Sequence, residues 1–237
     1  MSHPLAGALR QGLLGLGLSL DEAAQARLLA YMDLIAKWNK VYNLTAVRDA
    51  QEMLTHHLLD SLAVVAPLRR ELARLARANA PVHDVAVSDA ASLLVAASQP
   101  RYRLLDVGAG AGLPGVVIAI ACPEVSVTCV DTVAKKAAFV QQVAASLRLP
   151  NLRGLHARVE TLAEPFDVVC SRAFASLLDF TTWSASARAP HGVWLAMKGK
   201  HPEVEIQALP PSVNVFHVEP LTVPGLDAER CIVWMRG

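Results

Sequence analysis

The 237-residue sequence predicts an α/β fold, in which a seven-stranded sheet with helices on both faces follows a helical extension. Three observations support this prediction. From Tyr102 onward, short β-rich runs alternate with helical runs, which is typical of a parallel sheet. The first hundred residues show helical periodicity and few strand formers. A glycine-rich turn directly follows the first strand-like run, as in nucleotide-binding βαβ units.

The N-terminal extension is predicted to consist of helices. Apolar residues recur at three- and four-residue intervals after Ser19, and the pattern ends near Asn39: Leu28, Met32, Ile35 and Trp38. Ser19 and Glu22 have the spacing of a capping box that would begin this helix. A second helix is predicted at about 50–68, and an alanine-rich insertion, longer than an ordinary loop, follows at about 69–100. We therefore divide the chain into a helical cap, residues 1–100, and an α/β domain, residues 101–237.

The seven strands are predicted from short apolar, β-rich runs at 103–107, 126–130, 152–156, 166–170, 193–197, 213–218 and 231–235. Helices are predicted from Pro114, at 134–147 and near 177–187. The last two strands are separated only by a loop that contains Pro220, Pro224 and Gly225. They are therefore expected to form an antiparallel pair that closes the sheet.

Composition excludes several classes of protein. Hydrophobic residues make up 53% of the chain and charged residues 18%, which allows a large core and excludes a disordered protein. The 22 Lys and Arg against 21 Asp and Glu give a net charge of +1, so any site for a polyanion must be local. The four cysteines form no C-x-x-C pair, and we expect them to be reduced in a cytoplasmic protein without an export signal or membrane span.

The strongest local motif is Leu105-Asp106-Val107-Gly108-Ala109-Gly110-Ala111-Gly112-Leu113-Pro114-Gly115. Its glycines allow a ligand to approach the backbone, and Asp131, at the end of the next strand, is placed to accept hydrogen bonds from a ribose. Both features fit an adenosine-containing cofactor. A nicotinamide dinucleotide fits the G-x-G-x-x-G spacing, whereas Asp106 favours S-adenosylmethionine, since a carboxylate repels a pyrophosphate and attracts an ammonium group. Alternatively, Asp106 only accepts hydrogen bonds from loop amides.

Motifs along nearly the whole chain resemble the RsmG (GidB) methyltransferase family. They are Trp38-Asn39-Lys40-x-x-Asn43-Leu44-Thr45-x-x-Arg48, His57-x-x-Asp60-Ser61-Leu62, the glycine motif, Asp131-x-x-x-Lys135-Lys136-x-x-Phe139, Arg158-Val159-Glu160, Ser171-Arg172-Ala173-Phe174-Ala175-Ser176-Leu177 and Lys198-Gly199. The resemblance implies a Rossmann-like class I methyltransferase fold. It also implies methylation of 16S ribosomal RNA at N7 of a guanine, guanosine 527 in the family.

The resemblance implies that S-adenosylmethionine contacts Gly108 and Leu113, with Val159 and Glu160 beside the adenine and Arg172 near the methionine end. To these cofactor-binding residues we add Gly110 and Asp131 from the glycine motif. Arg172 and Asp106 are the predicted catalytic residues. Guanine N7 loses no proton on methylation, so no general base is required.

RNA contacts are expected on a local basic surface, because all charged residues between Asp131 and Glu160 are basic. The predicted RNA-binding residues are Lys40, Arg48, Lys135, Lys136 and Lys198. Phe174 either stacks on the target guanine or packs under the adjacent helix. His56 and His57 lack the spacing of metal ligands, and Cys170 is expected to be a buried thiol, so no metal site or covalent adduct is predicted.

The expected partner is 16S ribosomal RNA or the assembling small subunit, and the chain is expected to be a monomer that binds no membrane. Two other functions fit parts of the sequence. One is a nicotinamide-dependent oxidoreductase, suggested by the glycine spacing and Asp131. The other is an RNA-binding assembly factor with a vestigial pocket, suggested by the near-neutral charge and the long insertion.

Overall fold

The computed structural model describes residues 3–78 and 101–237. Seven strands form one sheet in the order β3-β2-β1-β4-β5-β7-β6. They are β1 (Tyr102–Val107), β2 (Val125–Asp131), β3 (Leu152–His156), β4 (Phe166–Arg172), β5 (Arg188–Lys198), β6 (Asn214–Leu221) and β7 (Arg230–Arg236). The first five strands are parallel, and β7 runs antiparallel to both β5 and β6. The predicted α/β class and the antiparallel closing pair are thus confirmed.

The helices of the described residues are α1 (Ala6–Gly15), α2 (Glu22–Tyr42), α3 (Ala50–Met53), α4 (Asp60–Leu62), α5 (Val65–Ala78), α6 (Gly115–Ala121), α7 (Ala134–Ser146), α8 (Leu177–Trp183) and α9 (Glu203–Gln207). A π-helical segment, Leu54–Leu59, joins α3 to α4. The second predicted helix is therefore real but irregular. Helix α1 lies within the predicted helical cap, although the sequence analysis did not assign it as a separate helix.

The start of α2 corrects one prediction. Asp21, rather than Ser19, caps the helix, because its carboxylate accepts a hydrogen bond from the Ala24 amide at 2.6 Å. The helix also extends beyond Asn39 to Tyr42, and ends where Asn43 adopts a left-handed φ of +48°. The capping motif was correctly located, but the wrong member of it was chosen.

The helical extension and the sheet share one hydrophobic core. Leu28 and Ile35 of α2 and Leu68 of α5 belong to the same cluster as Val116 and Ile120 of α6. A second cluster covers the other face of the sheet. The division into two domains at residue 100 stays a prediction. Residues 69–78 of the predicted insertion form the end of α5, and the rest of it lies outside the described residues.

Strand order places the site. The chain leaves β1 toward β2 on one side and returns to β4 on the other, so the carboxyl ends of β1 and β4 border the topological switch point where open α/β sheets bind ligands. Across the described ranges, no helix is long and apolar enough to cross a bilayer.

Candidate functional site

The glycine loop connects the carboxyl end of β1 to α6. Gly108 has a φ of +66°, and a Cβ built there would lie only 2.5 Å from the Phe174 ring. Only glycine therefore fits without strain at this position. The loop runs between two cavities that both border Gly108.

Asp106 lies behind the loop rather than in either cavity lining. Its side chain is 0% exposed, and Oδ2 accepts a hydrogen bond from the Gly115 amide at 2.8 Å, whereas buried Oδ1 has no partner among the described residues. Burial raises the pKa of the Asp106 carboxyl to about 7, although the Gly115 amide and nearby Arg172 oppose that rise. The loop-amide interpretation of Asp106 therefore accounts for Oδ2, whereas Oδ1 is buried away from both cavities.

Asp131 holds the loop from the end of β2. Its Oδ2 accepts a hydrogen bond from the Gly110 amide at 3.0 Å, and its Oδ1 accepts one from the Val133 amide at 2.8 Å. Lys136 lies 3.9 Å away and contributes positive charge. Each carboxylate oxygen retains a lone pair, so Asp131 can also accept hydrogen bonds from ribose hydroxyls.

The smaller cavity, about 240 Å³, is bordered by Asp131, Val159, Glu160, Phe174 and Trp183. Val159 and Glu160 begin a short 3₁₀ turn, and the Glu160 carboxylate accepts a hydrogen bond from Arg158 at 2.8 Å. This hydrogen bond lowers the pKa of Glu160 and keeps it ionised. The structure thus brings together the residues that the sequence assigned to the adenosine.

Phe174 packs under the adjacent helix. Its ring makes edge-to-face contacts with Phe180 and Trp183 of α8, with centroids 6.2 and 5.8 Å apart. It borders the smaller cavity and not the larger one. The geometry therefore favours the packing interpretation over stacking on a target base.

The larger cavity, about 640 Å³, contains a charge cluster that joins three distant segments. Buried Asp60 accepts hydrogen bonds from Arg172 Nη1 at 2.9 Å and from Arg230 Nε at 2.8 Å, and Arg172 also donates to the His56 carbonyl at 3.1 Å. Two guanidinium groups share one carboxylate, so the cluster has an excess positive charge facing the cavity. This arrangement suits an anionic group of a ligand.

His57 and Thr45 form another wall of the larger cavity. His57 Nε2 lies 2.5 Å from the Thr45 hydroxyl, whose oxygen accepts a hydrogen bond from the Val47 amide at 3.2 Å. Burial lowers the pKa of His57, and the charge of Arg172 lowers it further. A neutral imidazole that fixes the 43–48 loop is consistent with the sequence expectation that His57 bonds within the cap or borders the site.

The predicted RNA-binding residues differ in their surroundings. Lys40, Arg48 and Lys135 are exposed. Lys198 borders the larger cavity, but its ammonium group contacts both Glu205 carboxylate oxygens, at 2.7 and 3.0 Å. Lys136 lies near Asp131, as described above. The contacts of these five residues with RNA stay a prediction.

Sequence reasoning missed the roles of Tyr31 and Arg230. The Tyr31 hydroxyl donates to the Ala111 carbonyl at 2.6 Å, and Arg230 completes the charge cluster. A signal existed for Tyr31, because it lies on the apolar face of α2 and a buried tyrosine hydroxyl needs a partner. Arg230 lies at the start of β7 and carries no local signal.

The described residues fit S-adenosylmethionine. Carboxylates border the smaller cavity, and positive charge borders the larger one. Among residues 3–78 and 101–237, no three His, Cys, Asp or Glu side chains are grouped as metal ligands. All four cysteines are buried and free, and burial raises the pKa of Cys170 well above its ordinary value.

The family model and the relatives that match this chain agree with each other. The family model GidB, described as rRNA small subunit methyltransferase G, matches residues 24–85 and 76–233. Proteins named ribosomal RNA small subunit methyltransferase G are 66% identical in Acidovorax ebreus (strain TPSY) and 65% identical in Acidovorax sp. (strain JS42). Each match covers 97% of this chain and 94% of the relative. TrmN from Thermus thermophilus is a solved structure with 20% identity and a TM-score of 0.48, covering 62% of this chain and 47% of that one.

Proposed function

The chain belongs to the rRNA small subunit methyltransferase G family, and from this premise we propose that it methylates N7 of a guanine in 16S ribosomal RNA. Membership confirms the resemblance seen in the sequence motifs. It also identifies the chain as an S-adenosylmethionine-dependent methyltransferase of small-subunit ribosomal RNA. The target atom, and the position corresponding to guanosine 527 of the family, are parts of our proposal.

One observation carries the proposal: the two cavities meet at Gly108 and differ in charge. The smaller cavity is bordered by the Asp131 and Glu160 carboxylates and by Arg158, which pairs with Glu160. The larger cavity is bordered by Arg172 and Arg230 with the one carboxylate, Asp60, that they share. Hydroxyls and an amino group of an adenosine suit the first, and a carboxylate or a phosphate suits the second. We therefore place the cofactor across Gly108, with the target base entering through the larger cavity.

The chemistry requires orientation more than proton transfer. S-adenosylmethionine supplies a methyl group on a positively charged sulfur. The lone pair of guanine N7 accepts the methyl group without loss of a proton, so the residues of this chain need only align the base and exclude water. Asp106 and His57 are thus not required as general bases.

Arg172 is proposed to hold an anionic group, either the carboxylate of the cofactor or an RNA phosphate. Its Nη1 is already fixed by Asp60 and the His56 carbonyl, and its side chain remains 18% exposed at the cavity. A fixed guanidinium loses little conformational entropy when it binds an anion. We therefore propose Arg172, Asp106, Asp131, Gly108, Gly110, Leu113, Val159 and Glu160 as the functional set around the cofactor.

Methyl transfer to ribosomal particles tests the proposal. Small subunits and naked 16S RNA from cells that lack the protein are incubated with S-adenosylmethionine labelled on the methyl group. Borohydride reduction followed by aniline cleavage then identifies N7-methylguanine and its position. We expect label at one guanine of 16S RNA, and comparison of the two substrates shows whether assembled subunits are preferred.

The Arg172→Lys variant keeps the charge but not the planar fork of donors, and we expect kcat/KM to fall by about 10- to 100-fold. Arg103→Lys is the matched control, because Arg103 forms an exposed ion pair with Glu164 outside both cavities. A labelled atom other than N7 would reject the proposed target. Undiminished methylation by an Arg172→Ala variant would reject the assigned site. Undiminished subunit assembly with this variant, without any methylation, would favour the assembly-factor hypothesis.

We further propose that the enzyme is a cytoplasmic monomer. The large exposed apolar side chains of the described residues lie on four helices, α1, α2, α8 and α9: Leu14, Val41, Tyr42, Leu178, Trp183 and Val204. Light scattering of the purified protein tests the monomer, and fractionation of the producing cells tests the location. A stable dimer at micromolar concentration would contradict the first statement.

A further inference from the structure

Tyr31 connects the helical extension to the glycine loop. It lies in the middle of α2, its side chain is 0% exposed, and its hydroxyl donates a 2.6 Å hydrogen bond to the Ala111 carbonyl, 80 residues away. Its ring packs near Phe139 of α7, with the ring centroids 6.5 Å apart. One hydroxyl therefore joins the extension to the segment that borders the larger cavity.

The loop needs such anchors because its backbone is intrinsically free. Gly108, Gly110 and Gly112 all adopt positive φ, so the unfolded loop has many accessible conformations and its ordering costs entropy. Asp131 fixes Gly110 from the sheet side. Tyr31 fixes the next residue, Ala111, from the extension side. Two consecutive loop residues are thus each held by a side chain of a different element, β2 and α2.

Packing alone does not require the hydroxyl. A phenylalanine ring would fill the same space beside Phe139, and a buried hydroxyl without a partner costs free energy. Burial also raises the pKa of Tyr31 well above its ordinary value, so the group remains a hydrogen-bond donor. The donor is therefore matched to the one loop carbonyl that it reaches.

We propose that Tyr31 is a positioning residue for cofactor binding, which holds the 108–112 loop in the conformation that receives S-adenosylmethionine. This inference rests on the proposed function, because that function makes the loop the cradle of the cofactor. Tyr31 contacts neither reactant, so its loss weakens cofactor binding and leaves the methyl-transfer step unchanged. The KM for S-adenosylmethionine rises, while kcat and the KM for RNA stay constant.

The Tyr31→Phe variant removes one oxygen atom and leaves the ring. Isothermal titration with S-adenosylhomocysteine is expected to show a Kd about five- to tenfold higher than that of the unmodified chain. Tyr42→Phe is the control on the same helix, since Tyr42 is partly exposed and its ring packs on Trp38. Its Kd is expected to equal that of the unmodified chain.

Thr181→Val is the control for loss of a buried hydroxyl elsewhere, because Thr181 Oγ1 donates to the Leu177 carbonyl at 2.9 Å. It is expected to lower Tm without changing the Kd. A Kd for Tyr31→Phe within twofold of that of the unmodified chain would overturn the inference and leave the proposed function intact. A rise in Kd for Thr181→Val equal to that for Tyr31→Phe would have the same consequence. Failure of the unmodified chain to bind S-adenosylhomocysteine would overturn both.

Discussion

Replacing Asp60 by asparagine removes the negative charge between Arg172 and Arg230 while preserving the size of the side chain. Asp60 is buried and accepts one hydrogen bond from each arginine, at 2.9 and 2.8 Å. The variant leaves two guanidinium groups close together without a counter-charge. We therefore expect both stability and activity to fall.

The size of the effect follows from these contacts. A hydrogen bond to a charged group contributes about 1.5–3 kcal/mol, and a neutral one about 1 kcal/mol. Asparagine can retain one hydrogen bond, in which its side-chain oxygen accepts from either arginine, but this bond has only one charged partner. Because the arginine side chains are 18% and 24% exposed, water compensates for part of the loss. The free energy of unfolding is thus expected to fall by about 2–4 kcal/mol.

Urea denaturation at neutral pH measures this change. Glu164→Gln is the control, because Glu164 is an exposed partner of Arg103 and its loss is expected to cost less than about 0.5 kcal/mol. The double variant Asp60→Asn, Arg230→Met removes one of the two unbalanced charges and is expected to recover part of the stability. A loss below about 0.5 kcal/mol for Asp60→Asn, or no recovery in the double variant, would refute the electrostatic reasoning.

Three further predictions follow from the site. The folded pKa of Asp106 is about 7 and its ordinary value is 3.8, so the folded chain binds more protons between these values and its free energy of unfolding decreases as pH rises through that window. Urea denaturation at pH 5 and pH 8 is expected to show a smaller decrease in the free energy of unfolding for Asp106→Asn than for the unmodified chain. Equal decreases in the two proteins would contradict the assignment of this effect to Asp106. Gly108→Ala is expected to abolish S-adenosylhomocysteine binding in calorimetry. Gly17 has a similar φ of +63° and open space where a Cβ would be added, so Gly17→Ala is expected to bind normally. Normal binding by both variants would show that the loop tolerates a side chain. Lys135→Gln is expected to raise the KM for RNA about two- to fivefold at low salt and less at high salt, while the exposed Arg10→Gln control stays unchanged; a salt-independent effect would exclude a phosphate contact.

Much of the fold was predictable because its signals are local. Alternating apolar runs located the seven strands, and helical spacing located α2, since each pattern depends only on neighbouring residues. Errors occurred where several local solutions compete. Ser19 and Asp21 are both good helix caps, and only the backbone geometry selects Asp21.

The candidate site was predictable in part. The glycine motif and Asp131 belong to two consecutive β-strands, so their spacing alone placed them together, and the structure joins them through the Gly110 amide. Lys198 illustrates the limit of this reasoning. Lys198 is predicted from the sequence to join a basic RNA-binding surface, but the chain folds Glu205 of α9 against it.

By itself, the sequence determined the order and type of the main elements, the glycine loop and the need for an adenosine-containing cofactor. Only the tertiary structure decided which charges meet in the larger cavity and what anchors the loop. Asp60 lies 112 residues from Arg172 and 170 from Arg230, and Tyr31 lies 80 residues from Ala111. The physical reason is that hydrogen bonds and ion pairs act over a few ångströms of space, whatever the separation along the chain.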